Sequence, residues 1–390
     1  MARLGDICEK VTDYVASGSF AALKENVLIT NEENYAIMVK TADFSNGFTK
    51  ALTYTDKRGY DFLKNSNLFG GELILSNIGS IGKVFKVPYL DRPMTLASNT
   101  VMIKTATPEL TDYLYYYFLS PAGYKSLLSI SSGTSMLKFN KTELKKLEIP
   151  IPDIDKQRRI IAVMDKVSNL ISLRKQQLAK LDELVKARFV EFFGDMVYNQ
   201  NGWKMVNLGS VCDVRDGTHD SPKYFSEGYP LVTSKNVTSG RIDFAGCSLI
   251  CKEDYDKINE RSRVDFGDIL MPMIGTVGKP VIVDVDVDFA IKNVALIKFY
   301  ENSMVINFFV RALLQSDYFD HAVISKIRGG TQKFIALSDI RKLEIYLPPM
   351  DIQKKFAAFV EQTDKMKAAV QKALDEAQLL FDSLMQKYFG

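Results

Sequence analysis

A 42-residue segment occurs twice in this 390-residue chain, and a repeat of that length admits few architectures. Residues 153–194 and 349–390 superpose on one fixed shift. It lays Asp155 and Gln157 on Asp351 and Gln353, and Phe193-Gly194 on Phe389-Gly390. The repeated stretch is too long for a solenoid unit. The chain reads as two copies of one design.

Each copy of the stretch reads as a long helix. Pro150 and Pro152 before the first, and Pro348 and Pro349 before the second, bar helix upstream. Asp153 or Asp155, and Asp351, can cap the first turn. Apolar residues recur every seven positions, at Met164, Ile171, Leu178, Val185 and Phe192, with Ile160, Val167 and Leu181 three or four residues away. The second copy carries Phe356, Val360, Val370, Leu374, Phe381 and Leu384 in the same manner. An amphipathic surface helix can show one such narrow stripe; two matching stripes in one chain favour mutual pairing. A two-fold axis crossing the seam requires the helices to run antiparallel. The globular parts are then expected at opposite ends of a rod roughly 60 Å long, at ~1.5 Å per residue.

The globular parts are residues 1–152 and 195–348, each followed by its helix, 153–194 and 349–390. The fold class expected is α/β (α+β), with a pseudo-two-fold internal repeat and an antiparallel coiled coil. GGELILSNIGSIGKVFKV predicts strands at 72–77 and 83–87 around a glycine loop, NTVMIK a strand at 99–104, and DYLYYYFLS a helix over 110–120. Tyrosine runs can stack nucleobases, but Leu114, Phe118 and Leu119 in the same segment favour a core helix. The stretches LGDIC and LKKLEIPIP read as a short strand or turn and as a return strand. The second part repeats the plan: GDIL…IGTVGK answers GELI…IGSIGK, Asn293 answers Asn99, and Gly330-Thr331-Gln332 answers Gly133-Thr134-Ser135. GTHDSPKY at 217–224 has no counterpart in the first copy. One scaffold with different loops suits two different recognition surfaces.

Net charge is +3, from 50 Lys and Arg against 47 Asp and Glu. Residues 1–152 carry 17 basic and 15 acidic side chains, and residues 195–348 carry 18 and 20. A nucleic-acid binder this neutral needs local patches or a partner's charge. No run of 18 apolar residues suggests a membrane span, the N-terminus lacks the apolar core of a secretory signal, and four cysteines suit the cytoplasm. Cys8 and Cys212 fall at matching places as small buried residues. Cys247 and Cys251 lack the histidine partners usual in a zinc site, so no metal is expected.

IGSIGK and IGTVGK resemble phosphate cradles only superficially. Val84 and Pro280 follow the lysines where a nucleotide-binding loop needs Ser or Thr, which argues against nucleotide hydrolysis. Lys83 and Lys279 remain either phosphate partners in a backbone contact or solvated lysines of a tight turn. With only His219 and His321 available, no Ser/His/Asp or HExxH site assembles, and no Asp/Asn-Pro-Pro-aromatic motif marks a methyltransferase. His219 either orders its loop or touches a base.

Taken together, DGTHDSPKY, the paired GDIL…IGTVGK and GELI…IGSIGK segments, the GT loops before each KLEI strand, Gln157 and Gln353, and the two long helices resemble the specificity subunit of type I restriction–modification systems, over essentially the whole chain. The resemblance implies two target-recognition domains, each reading half of a split double-stranded DNA sequence. It also implies paired helices that act as a ruler and dock methyltransferase subunits, two being expected, with restriction and translocase subunits joining the assembled complex. Catalysis and S-adenosylmethionine would belong to those partners, with no cofactor bound by this chain. On this reading the first domain meets DNA through Ser80, Lys83, Asn99, Thr134, Ser135 and Lys138. The second does so through His219, Lys223, Thr276, Lys279, Asn293, Arg328, Thr331, Gln332 and Lys333. Gln332 is the preferred base reader, since its amide can pair bidentately with adenine. A four-residue insertion after Val190 is expected to lengthen the gap between half-sites. The alternative is a coiled-coil adaptor that binds proteins only, whose polar loops are ordinary turns.

Overall fold

The computed structural model describes residues 1–134, 136–238, 240–273, 279–323 and 334–390. The chain forms two compact units, Met1–Arg174 with Ala373–Gly390, and Lys175–Lys372. Four helices matter here: α1 (Pro108–Leu119), α2 (Ile154–Phe193), α3 (Asn307–Leu314) and α4 (Met350–Phe389). The unit boundaries fall inside α2 and α4, so each unit holds one end of each long helix.

In the first unit, β1 (Cys8–Asp13), β2 (Leu73–Ser76), β3 (Val84–Lys86) and β4 (Thr100–Thr105) form an antiparallel sheet in the order β1-β4-β2-β3. Leu73, Leu75, Val101 and Ile103 join a core with α1, while Ile74 and Met102 join another with Ile37, Val39, Met94 and Leu96 of a second sheet. Burial on both faces explains why these strands read as unbroken apolar runs. In the second sheet Ala36–Val39 runs parallel to Met94–Leu96. The tyrosine run of α1 packs inward: Tyr113, Tyr116, Tyr117 and Phe118 are all buried. The Tyr116 hydroxyl donates to Asp165 of α2 at 2.6 Å, and Tyr113 to the Pro150 carbonyl at 2.7 Å.

The second unit repeats this topology. Strands β5 (Cys212–Asp216), β6 (Ile269–Pro272), β7 (Val281–Ile282) and β8 (Val294–Phe299) pair antiparallel in the order β5-β8-β6-β7. Here too a parallel pair, Tyr229–Thr233 with Ala290–Lys292, belongs to a second sheet.

The long helices pack against each other antiparallel within both units. In the first, Ile160 and Met164 share a core with Met385 and Phe389, while Val167 and Ile171 meet Leu374, Ala377, Phe381 and Leu384. In the second, Val185, Phe189 and Phe193 pack with Phe309, Phe356 and Val360. The Phe189 and Phe356 rings lie 5.8 Å apart, and Lys367 meets Asp182 at 2.6 Å. Leu178, Leu181 and Val370 are half-buried. Phe192, expected in the seam, is half-buried and packs there, its ring 5.9 Å from that of Phe356, beside the buried Phe189 and Phe193. A seven-residue count drifts by about 20° per heptad on a straight helix, which turns Phe189 and Phe193 further inward than Phe192.

One local expectation needs correction. LKKLEIPIP is not one return strand: Lys141–Lys146 is helical, capped by Asn140 accepting from Glu143 N at 2.9 Å, and only Glu148–Ile149 is strand. The LGDIC stretch, expected as a short strand or turn, is a helical turn over Leu4–Ile7 that leads into β1 at Cys8. An insertion after Val190 would separate two buried phenylalanines and shear the second unit's core, so a ruler test there would confound spacing with stability.

Candidate nucleic-acid interface

In the first unit three strand ends meet: β1 stops at Asp13, β2 at Ser76, and β4 starts at Thr100. Asn99 turns the chain into β4 with φ 67°, a left-handed conformation that asparagine tolerates better than most residues. The Asn77 N–H donates to the Asn99 carbonyl at 3.3 Å, and its side-chain amide to the Phe139 carbonyl at 3.1 Å. The Phe139 N–H returns a bond to the Asn77 carbonyl at 3.1 Å, and Gly79 N–H reaches Leu137 O at 3.0 Å. Ser132 and Lys138 bond each other across a tight loop. Its Gly133 has φ 106°, and a Cβ there would lie 2.4 Å from the Met136 carbonyl oxygen. This network gathers Ser80, Lys83, Asn99, Thr134 and Lys138, all exposed, at one end of the sheet. An open cleft of about 490 Å³ lies beside Asn99 and Lys138, lined also by Asp13, Tyr14, Asn77 and Asn140 with others. Asp13 is held there by Lys141 at 2.8 Å.

The second unit has the same three strand ends with different occupants. Asp216 ends β5 opposite Ala295, as Asp13 ends β1 opposite Val101, and Asn293 (φ 55°) precedes β8 as Asn99 precedes β4. Ile335 N–H donates to the Met273 carbonyl at 3.0 Å, the counterpart of the Phe139–Asn77 bond. The DGTHDSPKY segment is clamped to the turn by Thr218 N–H on Ile291 O at 3.0 Å and Asn293 N–H on Thr218 O at 3.2 Å. Gly217 is required, because a Cβ would sit 2.1 Å from the Ile291 carbonyl oxygen.

His219 is the centre of this cluster. Its Nδ1 lies 2.7 Å from Asn293 Oδ1 and its Nε2 2.9 Å from Asp216 Oδ2. Arg261 pairs with the other Asp216 oxygen. The Asp216 side chain is only 8 % exposed, while those of His219 and Arg261 are 63 % and 70 % exposed. The hydrogen bonds to Asn293 and Asp216 raise the His219 pKa above its ordinary value, against burial and the Arg261 charge. Lys223 stands exposed on the same loop, and Lys292 is tied to Ser221 at 2.6 Å. Lys279 is exposed ahead of β7. Ser135, Thr276, Arg328, Thr331, Gln332 and Lys333 lie outside the described residues.

The structure thus joins His219 with Asn293, and Asn99 with Lys138. Asp13, Asp216, Lys141 and Arg261 were absent from the sequence-based set. A signal for Asp216 existed: strand alternation in Cys212–Asp216 puts it on the buried face with Cys212 and Val214, and a buried carboxylate needs cationic partners. Burial pushes the Cys8 and Cys212 thiols up to about 12, which removes them as nucleophiles at neutral pH. Among the described residues no His, Cys, Asp and Glu cluster could hold a metal ion, and no helix is long and apolar enough to cross a membrane.

Comparison with known proteins agrees with this duplication. The family model of the type I restriction modification DNA specificity domain matches residues 1–183 and again 200–377. The specificity subunit of the type I restriction enzyme MjaIX of Methanocaldococcus jannaschii is 25 % identical over 344 residues, spanning 81 % of this chain and 76 % of its own. That of EcoBI from Escherichia coli is 19 % identical over 344 residues, spanning 80 % and 72 %. Among solved structures, the S subunit of a type I restriction-modification system from M. genitalium superposes with a TM-score of 0.59 at 15 % identity, over 100 % of this chain and 95 % of that one. A chain from a study of complex assembly and conformational transition of the type I R-M system gives 0.52 at 18 % identity, over 100 % and 96 %.

Proposed function

Because the chain belongs to the family of type I restriction–modification DNA specificity subunits, we propose that each unit reads one half of a bipartite DNA target through the loop-bearing end of its four-stranded sheet. The observation that carries this is the matched pair of strand ends. Asn99 and Asn293 stand in the same conformation and Asp13 and Asp216 at the same register, while the side chains that meet the two acids differ. A fixed frame with exchanged loops is what two different half-sites demand. Lys83, Lys138, Lys223 and Lys279 supply phosphate contacts in this reading, and Asn99 and Asn293 lie at base edges.

The chain acts without catalysis of its own. Methylation and its S-adenosylmethionine belong to methyltransferase subunits, two of which dock on the paired helices, and the restriction subunit joins through that assembly in the cytoplasm. The helices set the distance between half-sites. The near-neutral globular regions, with 17 basic to 15 acidic and 18 basic to 20 acidic side chains, support a shared grip, since DNA affinity scales with the phosphates neutralised. Gel-shift titration at physiological salt tests this. Tight, sequence-specific binding is expected only with the methyltransferase subunits added; nanomolar specific binding by the isolated chain would contradict it.

A further inference from the structure

The Asp216 cluster has a chemical property that the first unit lacks. An amide oxygen and a carboxylate oxygen only accept hydrogen bonds, so with Asn293 Oδ1 and Asp216 Oδ2 facing its two ring nitrogens His219 is best satisfied as the imidazolium, which alone donates from both. Arg261 completes a pair of exposed cations on one buried carboxylate. The charged surroundings are few. Asp216 faces the ring from β5 and Arg261 from the helix Lys252–Ser262, while Asn293, from the turn before β8, is neutral. Asp220 is the ring's neighbour in sequence, Lys292 is tied to Ser221, and Arg215 is engaged by Asp213 at 2.6 Å.

We propose that His219 and Arg261, positioned by the buried carboxylate of Asp216, form a backbone-phosphate site in the second unit, so that this half of the DNA interface tightens when the imidazole is protonated and the first half does not. The proposal rests on the reading of the strand ends as the DNA face, and makes Asp216 a positioning residue there. The first unit cannot respond in this way. Its equivalent carboxylate, Asp13, is held by Lys141, and both histidines of the chain, His219 and His321, fall in the second unit. Histidine is the one side chain whose ordinary pKa lies between pH 5 and 8.

The sign follows from the direction of the shift. With the pKa raised in the folded chain, the imidazolium is fully present below the ordinary histidine value of about 6.5 and is lost as pH rises through the raised one. Affinity should therefore fall above that ordinary value. A bound phosphate would move the inflection further up.

The test uses the full chain assembled with its methyltransferase subunits and a duplex carrying its methylation-mapped target, titrated from pH 6.0 to 8.5 at fixed ionic strength. Wild type should lose about two- to fivefold in affinity across the range, the worth of one exposed ion contact, while His219→Gln stays flat at the weaker value. His219→Lys should restore tight binding without the pH dependence, and His321→Gln should behave as wild type. Asp216→Asn should shift the inflection to lower pH; a merely structural role would weaken binding at every pH and leave the inflection in place. Because the chain has two histidines, NMR of the same variants reads the His219 titration directly, even where Asp216→Asn loses binding through misfolding. A wild-type profile identical to that of His219→Gln would overturn the proposal. If Lys223→Ala still weakens binding in that case, the DNA face survives and only the switch fails; if it has no effect either, the face itself is misplaced.

Discussion

The strand ends of the two units differ where function needs difference and agree where the backbone allows no choice. Both place an asparagine in a left-handed turn before the central strand, and both end the first strand on an acid. Yet Asp13 meets one lysine beside an open cleft, whereas Asp216 meets a histidine and an arginine. Asn77, bonded into the first cleft, is replaced by the buried Met273. The lesson is that hydrogen-bonded turns and strand register fix the frame, and the side chains hung on it are free to diverge.

The starts of the long helices give the sharpest contrast in energy. Gln353 is fully buried and makes three bonds: Ile306 N–H donates to its Oε1 at 3.0 Å, and its Nε2 donates to the carbonyls of Met304 and Pro348, both at 2.9 Å. Among the described residues Gln157 has only the bond to Pro152, at 2.8 Å, and its Oε1 finds no donor. Gln353→Ala should then cost on the order of 3 kcal/mol, by leaving buried partners unpaired, against about 1 kcal/mol for Gln157→Ala. Denaturant unfolding of the two variants reads the difference. Equal losses would mean that the two helix starts are energetically alike despite their different bonding.

A smaller effect separates backbone from side chain at the paired asparagines. Asn99→Ala and Asn293→Ala should each lose about 1 kcal/mol to the left-handed conformation. Glycine removes that penalty. It should rescue position 99 almost fully but position 293 only in part, because His219 Nδ1 then loses its amide partner. Thermal melts below pH 6.5 would show the gap, and identical rescue at both positions would break the comparison.

Much of this was legible in the sequence because the signals were local or repeated. The duplication, the antiparallel helix pairing and the core role of Tyr113 to Phe118 all follow from spacing or from matched motifs, whereas the bond between His219 and Asn293, 74 positions apart, does not. What was hidden came from contacts between distant segments. Arg261 reaches Asp216 across 45 positions from a helix with no motif of its own, and Lys141 reaches Asp13 across 128. Periodicity carries no information about such pairs. A seven-residue count finds Phe192 in the helix seam but passes over Phe189 and Phe193, which drift on a helix of 3.6 residues per turn brings further inward. A strand was expected through Lys145 and Lys146 because the KLEI motif was read as one extended piece, whereas Asn140 starts a helical turn just upstream.

The central claim is that each unit reads its own half-site. Exchanging residues 1–152 for the matching segment of another specificity subunit, then mapping methylated sites in cells that also carry the methyltransferase subunits, tests it most directly. The account predicts that one half of the recognised sequence is replaced while the other half stays unchanged. A change in both halves, or in neither, would contradict it.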